Sequence, residues 1–464
     1  MADLQNDLNT RRSLASIPES NCRAIYPGLR RQVFIGEALP LPLVSQKLND
    51  GGGDFFRQVC VWHERETSRL TTQSRRDNSL HRMKIFDLFC GTGGFSKGFE
   101  KSRNASYETM FGIDLLPKSV ETFRLNHPSA LGLCGDIRNV RCEDLRTKLK
   151  IRPGQLGLII GGPPCQGFSS IRPFRSSNED DARNSLFEQF ANFVNYFRPR
   201  ALVMENVVGL ATHKGGETIA QIVECFARLG YDCDWRLLNA ANFGVPQRRE
   251  RLILIGLEKG ARGAFPEPTH LSDGTTIGHK DRSKMVVADA DLFSCKRHER
   301  SVTVLDAIGD LPPIRSGETA SEYDRDPFHL YQRERRNGTK ALKLHFSTAH
   351  TPKMLEIIKH SGKNISSIPP HLISSGFSSC YSRLDGDATS VTITVNFVHP
   401  ASNRCIHPTC DRALTPREGA RLQSFDDDFA FAGNRSQIVK QIGNAVPPLL
   451  GRAIGEALAS VLGD

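Results

Sequence analysis

From Met83 to Leu257 the chain repeats one unit: a short apolar run, a turn and a helical stretch. "KIFDLF" reads as a strand that ends in "CGTGG", and "FSKGFEKS" then starts a helix. "YETMFGID" with "PKSVETFRLNH" repeats the unit, and "LGLCGDI" and "QLGLIIGGPP" supply a third and a fourth strand. "SLFEQFANFVNYF" reads as a helix, "ALVMENV" as a fifth strand and "TIAQIVECFARLG" as a further helix. "DWRLLNAANFG" and "RRERLILIGL" close the run as strands. Apolar strands alternating with helices of about 10–13 residues predict an α/β fold with a doubly wound, mostly parallel sheet. In such a sheet ligands bind outside the carboxyl ends of the strands, so the functional residues are sought there.

The pattern stops near Leu257. Residues 258–403 are rich in Gly, Pro, Ser, Thr, His and basic residues, and stretches such as "SVTITVNFV" read as short strands. This interval is expected to be a separate, smaller, mostly β or irregular domain inserted into the α/β domain. From "RALTPREGARLQSF" helical signals return, with Thr415 as cap and Pro416 in the first turn. "QIGNAVPPLLGRAIGEALASVLG" is expected to close the chain as one helix. The organisation is therefore an N-terminal extension (1–82), an α/β domain (83–257), an insert (258–403) and a tail (404–464) completing the α/β domain. The extension is polar, with linker-like "NDGGGD" and a candidate helix in "FFRQVCVWHERETSRL".

Composition narrows the partner. A formal net charge of +10 favours a polyanion, nucleic acid before membrane surface. No apolar run approaches the ~20 residues of a membrane helix, and the N-terminus carries no apolar signal core. A cytoplasmic protein with reduced thiols is expected, although the chain has 12 cysteines. One cluster, "CIHPTC", sets Cys405, His407 and Cys410 together. It offers at most three ligands where a structural zinc site takes four, so no metal is expected.

Three strand ends carry chemistry. In "DLFCGTGGFSKG", Gly91, Gly93 and Gly94 let backbone approach a ligand, but the spacing is neither the dinucleotide fingerprint nor a P-loop. Asp114 ends the second strand, where it can hold ribose hydroxyls, and Asp136 follows the third. Two acids and an aromatic, Phe89, around a glycine turn suit a nucleoside with a cationic tail, S-adenosylmethionine, better than a pyrophosphate. In "GGPPCQGFSS", Pro163 and Pro164 stiffen the turn that aims the Cys165 thiol at the same edge. "MENVVGL" puts Glu205 and Asn206 there too; a shielded carboxylate can carry a proton to a substrate nitrogen. In "QRRER", alternation places Arg249 and Arg251 on one face, where they can support a thiolate or grip a phosphate or base carbonyl.

"DLFCGTGGFSKG", "GIDLLPKSVETFRLNHP", "GDI", "GGPPCQGFS", "ENVVGL", "QRRERLILIG", "RALTPREGARLQSF" and "QIGNAVPP" together resemble the ordered motif set of the cytosine-5 DNA methyltransferases. The resemblance covers about 83–257 and 404–464, leaving 258–403 where that family keeps its target recognition domain. It implies an S-adenosylmethionine-dependent enzyme acting on double-stranded DNA, of the bacterial restriction–modification or solitary type. Such an enzyme is expected to be a monomer and to share its site with a restriction endonuclease without touching it. Residue by residue, it implies that Cys165 attacks cytosine C6 and Glu205 hydrogen-bonds or protonates N3. Arg249 supports the base carbonyl and Arg251 the site geometry. Phe89 stacks on adenine, Asp114 holds the ribose, Asp136 binds the adenine amine and Asn444 braces the cofactor site. Leu115, Ile137, Pro163 and Ala445 complete the cofactor surroundings. The family commonly has Glu where this chain has Asp114, and often Trp where it has Leu115.

A stacked cytosine must be extruded to reach Cys165. The Gly/Ser/Asn-rich stretch from Gln166 to Asn184 is expected to be a lid over the flipped base. Two alternatives stand beside this reading. One is the tRNA-directed branch of the same family, whose Cys-Phe-Thr segment is not found here; the other is a catalytically silent DNA-binding regulator, disfavoured by the presence of both Cys165 and Glu205.

Overall fold

The computed structural model describes residues 82–164, 184–258, 265–272, 281–286, 298–373 and 376–463. The N-terminal candidate helix, Cys165 and the expected lid after it lie outside the described residues.

Among the described residues the centre is an eight-stranded sheet. β1 (Met83–Leu88), β2 (Tyr107–Asp114), β3 (Leu131–Cys134), β4 (Leu158–Gly161) and β5 (Ala201–Asn206) run parallel in the order β3-β2-β1-β4-β5. β6 (Tyr231–Asn239) and β7 (Glu250–Glu258) follow, β7 lying antiparallel between β5 and β6. The link from β6 to β7, residues 240–249, is too short for a crossover helix, so the chain reverses. Of three two-residue strands, β8 (His270–Leu271), β9 (Met285–Val286) and β10 (Glu299–Arg300), β9 adds to the β6 edge and β8 pairs with β10.

Side chains alternate along each strand, and both faces are buried. Ile85, Leu158, Ile160, Val203, Ile253 and Ile255 point into one apolar cluster; Phe86, Leu88, Ile159, Leu202, Met204, Leu252 and Leu254 point into the other. The second face is covered by α3 (Cys142–Leu149), α4 (Asn184–Phe197) and α5 (Glu217–Arg228), the first by α1 (Gly94–Glu100); α2 (Pro117–Asn126) lies against β2 and β3. α5 shows why these stretches are helices: Ile219, Ile222 and Phe226 recur at helical spacing and are buried together. Each contributes roughly 1.5–3 kcal/mol of burial. α3 escaped the sequence reading because Leu145 is its only buried residue, too little for an apolar period.

Among its described residues the interval 258–403 is irregular, but its longer regular elements are helices: α6 (Val304–Ile308), α7 (Leu330–Arg336) and α8 (Pro352–Lys359). "SVTITVNFV" is not a strand. It makes one bridge, between Gln247 and Ser390, because side chains take its backbone groups: Ile393 N donates to Gln247 Oε1 at 2.7 Å. Nor is the interval wholly separate. Val302, Val304, Ala307, Ile308, Leu311, Ile393, Phe397 and Val398 belong to the same cluster as the first sheet face.

The tail forms α9 (Pro416–Leu422), α10 (Arg435–Asn444) and α11 (Pro448–Leu462). Thr415 caps α9 as expected, in a reciprocal pairing with Glu418. The single closing helix of the sequence reading is two, broken at Ala445, whose ψ of 148° leaves the helical region. Pro447 and Pro448 lack the N–H groups a continuous helix needs. By length and composition Arg435–Leu462 could cross a membrane, yet Leu450, Ile454 and Leu458 are fully buried against the domain. α11 packs on α1 so tightly that a methyl group on Gly98 would lie 2.2 Å from the Pro448 carbonyl oxygen. Tyr107 Oη also donates to Gly455 O at 2.7 Å.

Around α9 lies a buried charge network. Arg412 makes a bidentate pair with Glu418, at 2.8 and 2.7 Å. Arg421 makes one with Asp427, at 2.6 Å twice, and also reaches Asp310 at 3.2 Å. Arg412, Arg417 and Arg421 are fully buried. Burial alone would raise the Glu418 carboxyl, but the Arg412 charge outweighs it and holds the pKa well below the usual range. Arg412 Nε donates to Ile314 O and Arg417 Nε to Lys343 O, so the network fastens the 302–345 stretch to the tail.

Candidate active site at the carboxyl edge of the sheet

Strand register assembles the site. Leu88 stands beside Ile113 and Gly161, Ile113 beside Leu133, and Gly161 beside Met204. The next row is therefore Phe89, Asp114, Cys134, Gly162 and Glu205, all where the parallel strands end. β7 begins at the same edge, with Leu252 beside Asn206.

The turn after β1 is strained. Phe89, Gly91 and Gly93 have φ of 60°, 51° and 78°, and a left-handed Phe costs roughly 1–3 kcal/mol. The turn is pinned by Asp114, whose Oδ2 accepts from Gly91 N at 2.9 Å and whose Oδ1 accepts from Leu116 N at 2.9 Å. Burial raises the Asp114 pKa, against the pull of those N–H groups. The three glycines do different work. A methyl group on Gly91 would meet nothing within 4 Å, so this residue faces open space. At Gly93 it would strike His127 Nε2 at 2.6 Å, and at Gly94 the Phe425 ring at 2.9 Å. At those two positions the protein itself leaves no room for a side chain.

Asp136 caps the 3-10 turn Ile137–Asn139 and chelates its own neighbour: Arg138 Nε lies 3.0 Å from both oxygens and Nη2 lies 2.5 Å from Oδ2. Those bonds hold its pKa below the usual carboxylate value. Ile137 is buried beneath it, whereas Leu115 is 66% exposed beside Asp114. Gly135, like Gly91, faces open space. Open backbone at Gly91 and Gly135, with two acidic acceptors beside it, fits a nucleoside carrying a positive tail and does not fit a phosphate. Phe89, Asp114, Leu115, Asp136 and Ile137 would hold S-adenosylmethionine there.

On the other side of the edge stands Glu205, mostly buried, with Oε1 paired to Arg251 Nε at 2.7 Å. Its second oxygen rests against Gly162, where a methyl group would lie 3.0 Å from Oε2. Asn206 Nδ2 donates to Pro163 O at 3.1 Å, holding the turn that leads to Cys165. Sequence reading named Asn206 without giving it this role, and overlooked Gly162 altogether. Burial pattern could not reveal either, since both act through a turn joined to β5 only in three dimensions.

The two arginines diverge. Arg251 faces Glu205. Arg249 is 2% exposed, and its guanidinium is directed at main-chain carbonyls, Ile393 O at 3.2 Å and Gly443 O at 3.1 Å. Asn444 follows Gly443 at the end of α10 and is exposed, whereas Ala445 is buried. Gln247 was missed as well: Nε2 donates to Leu422 O and Gln423 Oε1, at 3.1 and 3.0 Å. In the "CIHPTC" cluster, His407 Nδ1 accepts from the Thr409 and Cys410 amides and Cys405 is in the core. Among the described residues no group of His, Cys, Asp and Glu is placed to hold a metal ion.

Comparison with known proteins agrees with this geometry. The family model for C-5 cytosine-specific DNA methylase matches residues 83–460. The Type II methyltransferase M.AgeI of Thalassovita gelatinovora is 32% identical over 438 residues, spanning 81% of this chain and 99% of its own length. M1.HphI of Haemophilus parahaemolyticus is 35% identical over 380 residues, 81% of this chain and 86% of its own. A crystal structure described as a DNA modification methyltransferase encoded within a prophage (E. coli) superposes with a TM-score of 0.60 at 25% identity, covering 82% of this chain and 99% of that one. The Entamoeba histolytica methyltransferase EhMeth, at TM-score 0.54 and 13% identity over 83% of this chain and all of its own, shares the fold. Sheet order, site residues and these matches converge: the chain belongs to the C-5 cytosine-specific DNA methylase family.

Proposed function

We propose that the chain methylates C5 of cytosine within a defined sequence of double-stranded DNA, taking the methyl group from S-adenosylmethionine. The observation that carries this is the Glu205–Arg251 pair set against Gly162, one residue before the Pro-Pro turn that leads to Cys165. Extrusion of the cytosine brings the ring to this edge. The Cys165 thiolate adds to C6; the sulfur lone pair forms the new bond, the C5–C6 π electrons become a C4–C5 double bond, and the C4–N3 π pair takes a proton at N3 from Glu205. Arg251 keeps that carboxyl aimed at N3. S-adenosylmethionine, when bound, supplies an electrophilic methyl group to C5. A base then removes the C5 proton, those electrons re-form the C5–C6 double bond, the thiolate leaves and N3 returns its proton to Glu205. Asn206 and Pro163 fix the approach of the sulfur.

Within 258–403, which we assign to target recognition, Arg, Lys, Asn and Gln side chains would read major-groove edges. The Type II relatives support a role in protecting host DNA beside a cognate endonuclease in a bacterial cytoplasm. The test is methyl transfer from labelled S-adenosylmethionine to duplex DNA and to tRNA, with bisulfite sequencing of the DNA product. Transfer to DNA is expected, lost in Cys165→Ser, with a covalent adduct at Cys165 on 5-fluorocytosine DNA. Transfer to tRNA alone, or full turnover by Cys165→Ser, overturns the assignment.

A further inference from the structure

We infer that Arg249 is a positioning residue that ties the segment 390–395 to the backbone beside the cofactor turn, and that it does not touch the cytosine. The inference rests on the cofactor site proposed above.

Its guanidinium spans two segments far apart in the chain. Nη1 donates to Ile393 O and Nη2 to Gly443 O, at 3.2 and 3.1 Å, while Nε meets no hydrogen-bond partner among the described residues. Burial first, then the charge of Arg251, pulls its pKa down. A desolvated cation without a carboxylate bonded to it is costly, and two neutral carbonyls offset little of that cost. Such a group persists where it fixes geometry. The two segments it joins are already in contact, since a methyl group on Gly443 would lie 2.5 Å from Thr394 O and 2.6 Å from Val395 N. Three residues further on, Val446 O lies 3.0 Å from where a methyl group on Gly94 would sit, against the turn that follows β1. A continuous contact path thus runs from 390–395 through Arg249 and Gly443 to the glycine turn.

Neighbouring groups strengthen it. Arg248 N donates to Ser390 O at 2.9 Å and Thr392 Oγ1 to Arg248 O at 2.8 Å. Gln423 Nε2 donates to Ile442 O at 2.7 Å, and Gln423 is itself held by Gln247. Because 390–395 lies in the stretch assigned to DNA recognition, the path makes cofactor and DNA binding mutually dependent, each strengthening the other by the same factor.

The experiment titrates S-adenosylhomocysteine into the full chain by calorimetry, with and without duplex DNA, for wild type, Arg249→Lys and Arg249→Met. Without DNA, the Met variant is expected to bind about tenfold or more weakly, with Lys between it and wild type. The KM for S-adenosylmethionine is expected to rise more than kcat falls, and the strengthening by DNA to shrink. Wild-type affinity in a folded variant, with lower adduct yield on 5-fluorocytosine DNA, returns Arg249 to a base contact and overturns the inference. In wild type, S-adenosylhomocysteine should slow amide exchange across 390–395; unchanged exchange there overturns it even if no variant folds. Failure of the wild type to bind S-adenosylhomocysteine refutes the cofactor site itself.

Discussion

Asp87→Asn should make the protein more stable at neutral pH than the wild type, and the gain should grow with pH. Asp87 is 1% exposed near the carboxyl end of β1, and burial, the largest cause, raises its pKa to about 7. The hydrogen bonding agrees. Ser96 Oγ lies 2.7 Å from Asp87 Oδ2 and 3.2 Å from Gly93 O, and its one proton cannot serve both. With Asp87 protonated, the carboxyl donates to Ser96 and Ser96 donates to Gly93 O, so both contacts are satisfied and the glycine turn is held from beneath. The unfolded carboxyl titrates near 3.8. Between that value and about 7 the folded chain keeps a proton that the unfolded chain has lost, so this group's contribution falls as pH rises and levels off above 7. At about 1.4 kcal/mol per pH unit, the loss from pH 5 to 7 is on the order of 3 kcal/mol. Asn keeps the donor and abolishes the titration. The buried histidines change stability in the opposite direction, His350 and His407 being lowered to about 4 mainly by burial. The difference between variant and wild type therefore isolates Asp87. Urea denaturation at pH 5, 6, 7 and 8 measures it. A variant-minus-wild-type difference that stays constant with pH refutes the reasoning.

Gly162→Ala should push the Glu205 carboxylate off its seat and lower the single-turnover methylation rate about ten- to a hundredfold, with DNA affinity by fluorescence anisotropy little changed. Arg251→Ala leaves Glu205 without its ion pair; the same rate assay should show a loss of about a hundredfold or more, only partly restored in Arg251→Lys. Asp427→Ala leaves buried Arg417 without a carboxylate and Arg421 with Asp310 alone, and should destabilise the fold by about 3–5 kcal/mol in chemical denaturation. Exchange of residues 351–389 for a relative's counterpart should alter sequence preference in bisulfite sequencing, whereas exchange of 302–345 should cost solubility, because that stretch is fastened to α9.

Much of the catalytic edge was legible because strands signal themselves locally. Five apolar runs, most with helices between them, announced a parallel sheet; the strand order and register of the folded chain bring Asp114 and Glu205 into one row. Thr415 and Pro416 announced α9 by cap chemistry, which needs only four consecutive residues. What escaped depends on distant partners. Arg249 and Arg251 share a strand pattern, so alternation made them equals; only the positions of Ile393 and Gly443 separate them. "SVTITVNFV" has the composition of a strand, yet Ile393 N donates to Gln247 Oε1 and Ser390 O accepts from Arg248 N, more than a hundred residues away. The arginines of α9 drew no reading from the sequence, and only the folded chain supplies Asp310 and Asp427 around them. Cys165 was named from its motif and lies outside the described residues.

The seat of α11 on α1 has a consequence for biosynthesis. The first helix of the catalytic body is completed by the last, across some 350 residues, with Gly98 and Gly451 leaving no slack between them. On the ribosome, Phe95 and Phe99 must therefore wait, uncovered on one side, until the final helix of this chain emerges. Nascent chains stalled before residue 448 should bind chaperones that capture exposed apolar surface, and should let go once α11 is free to dock.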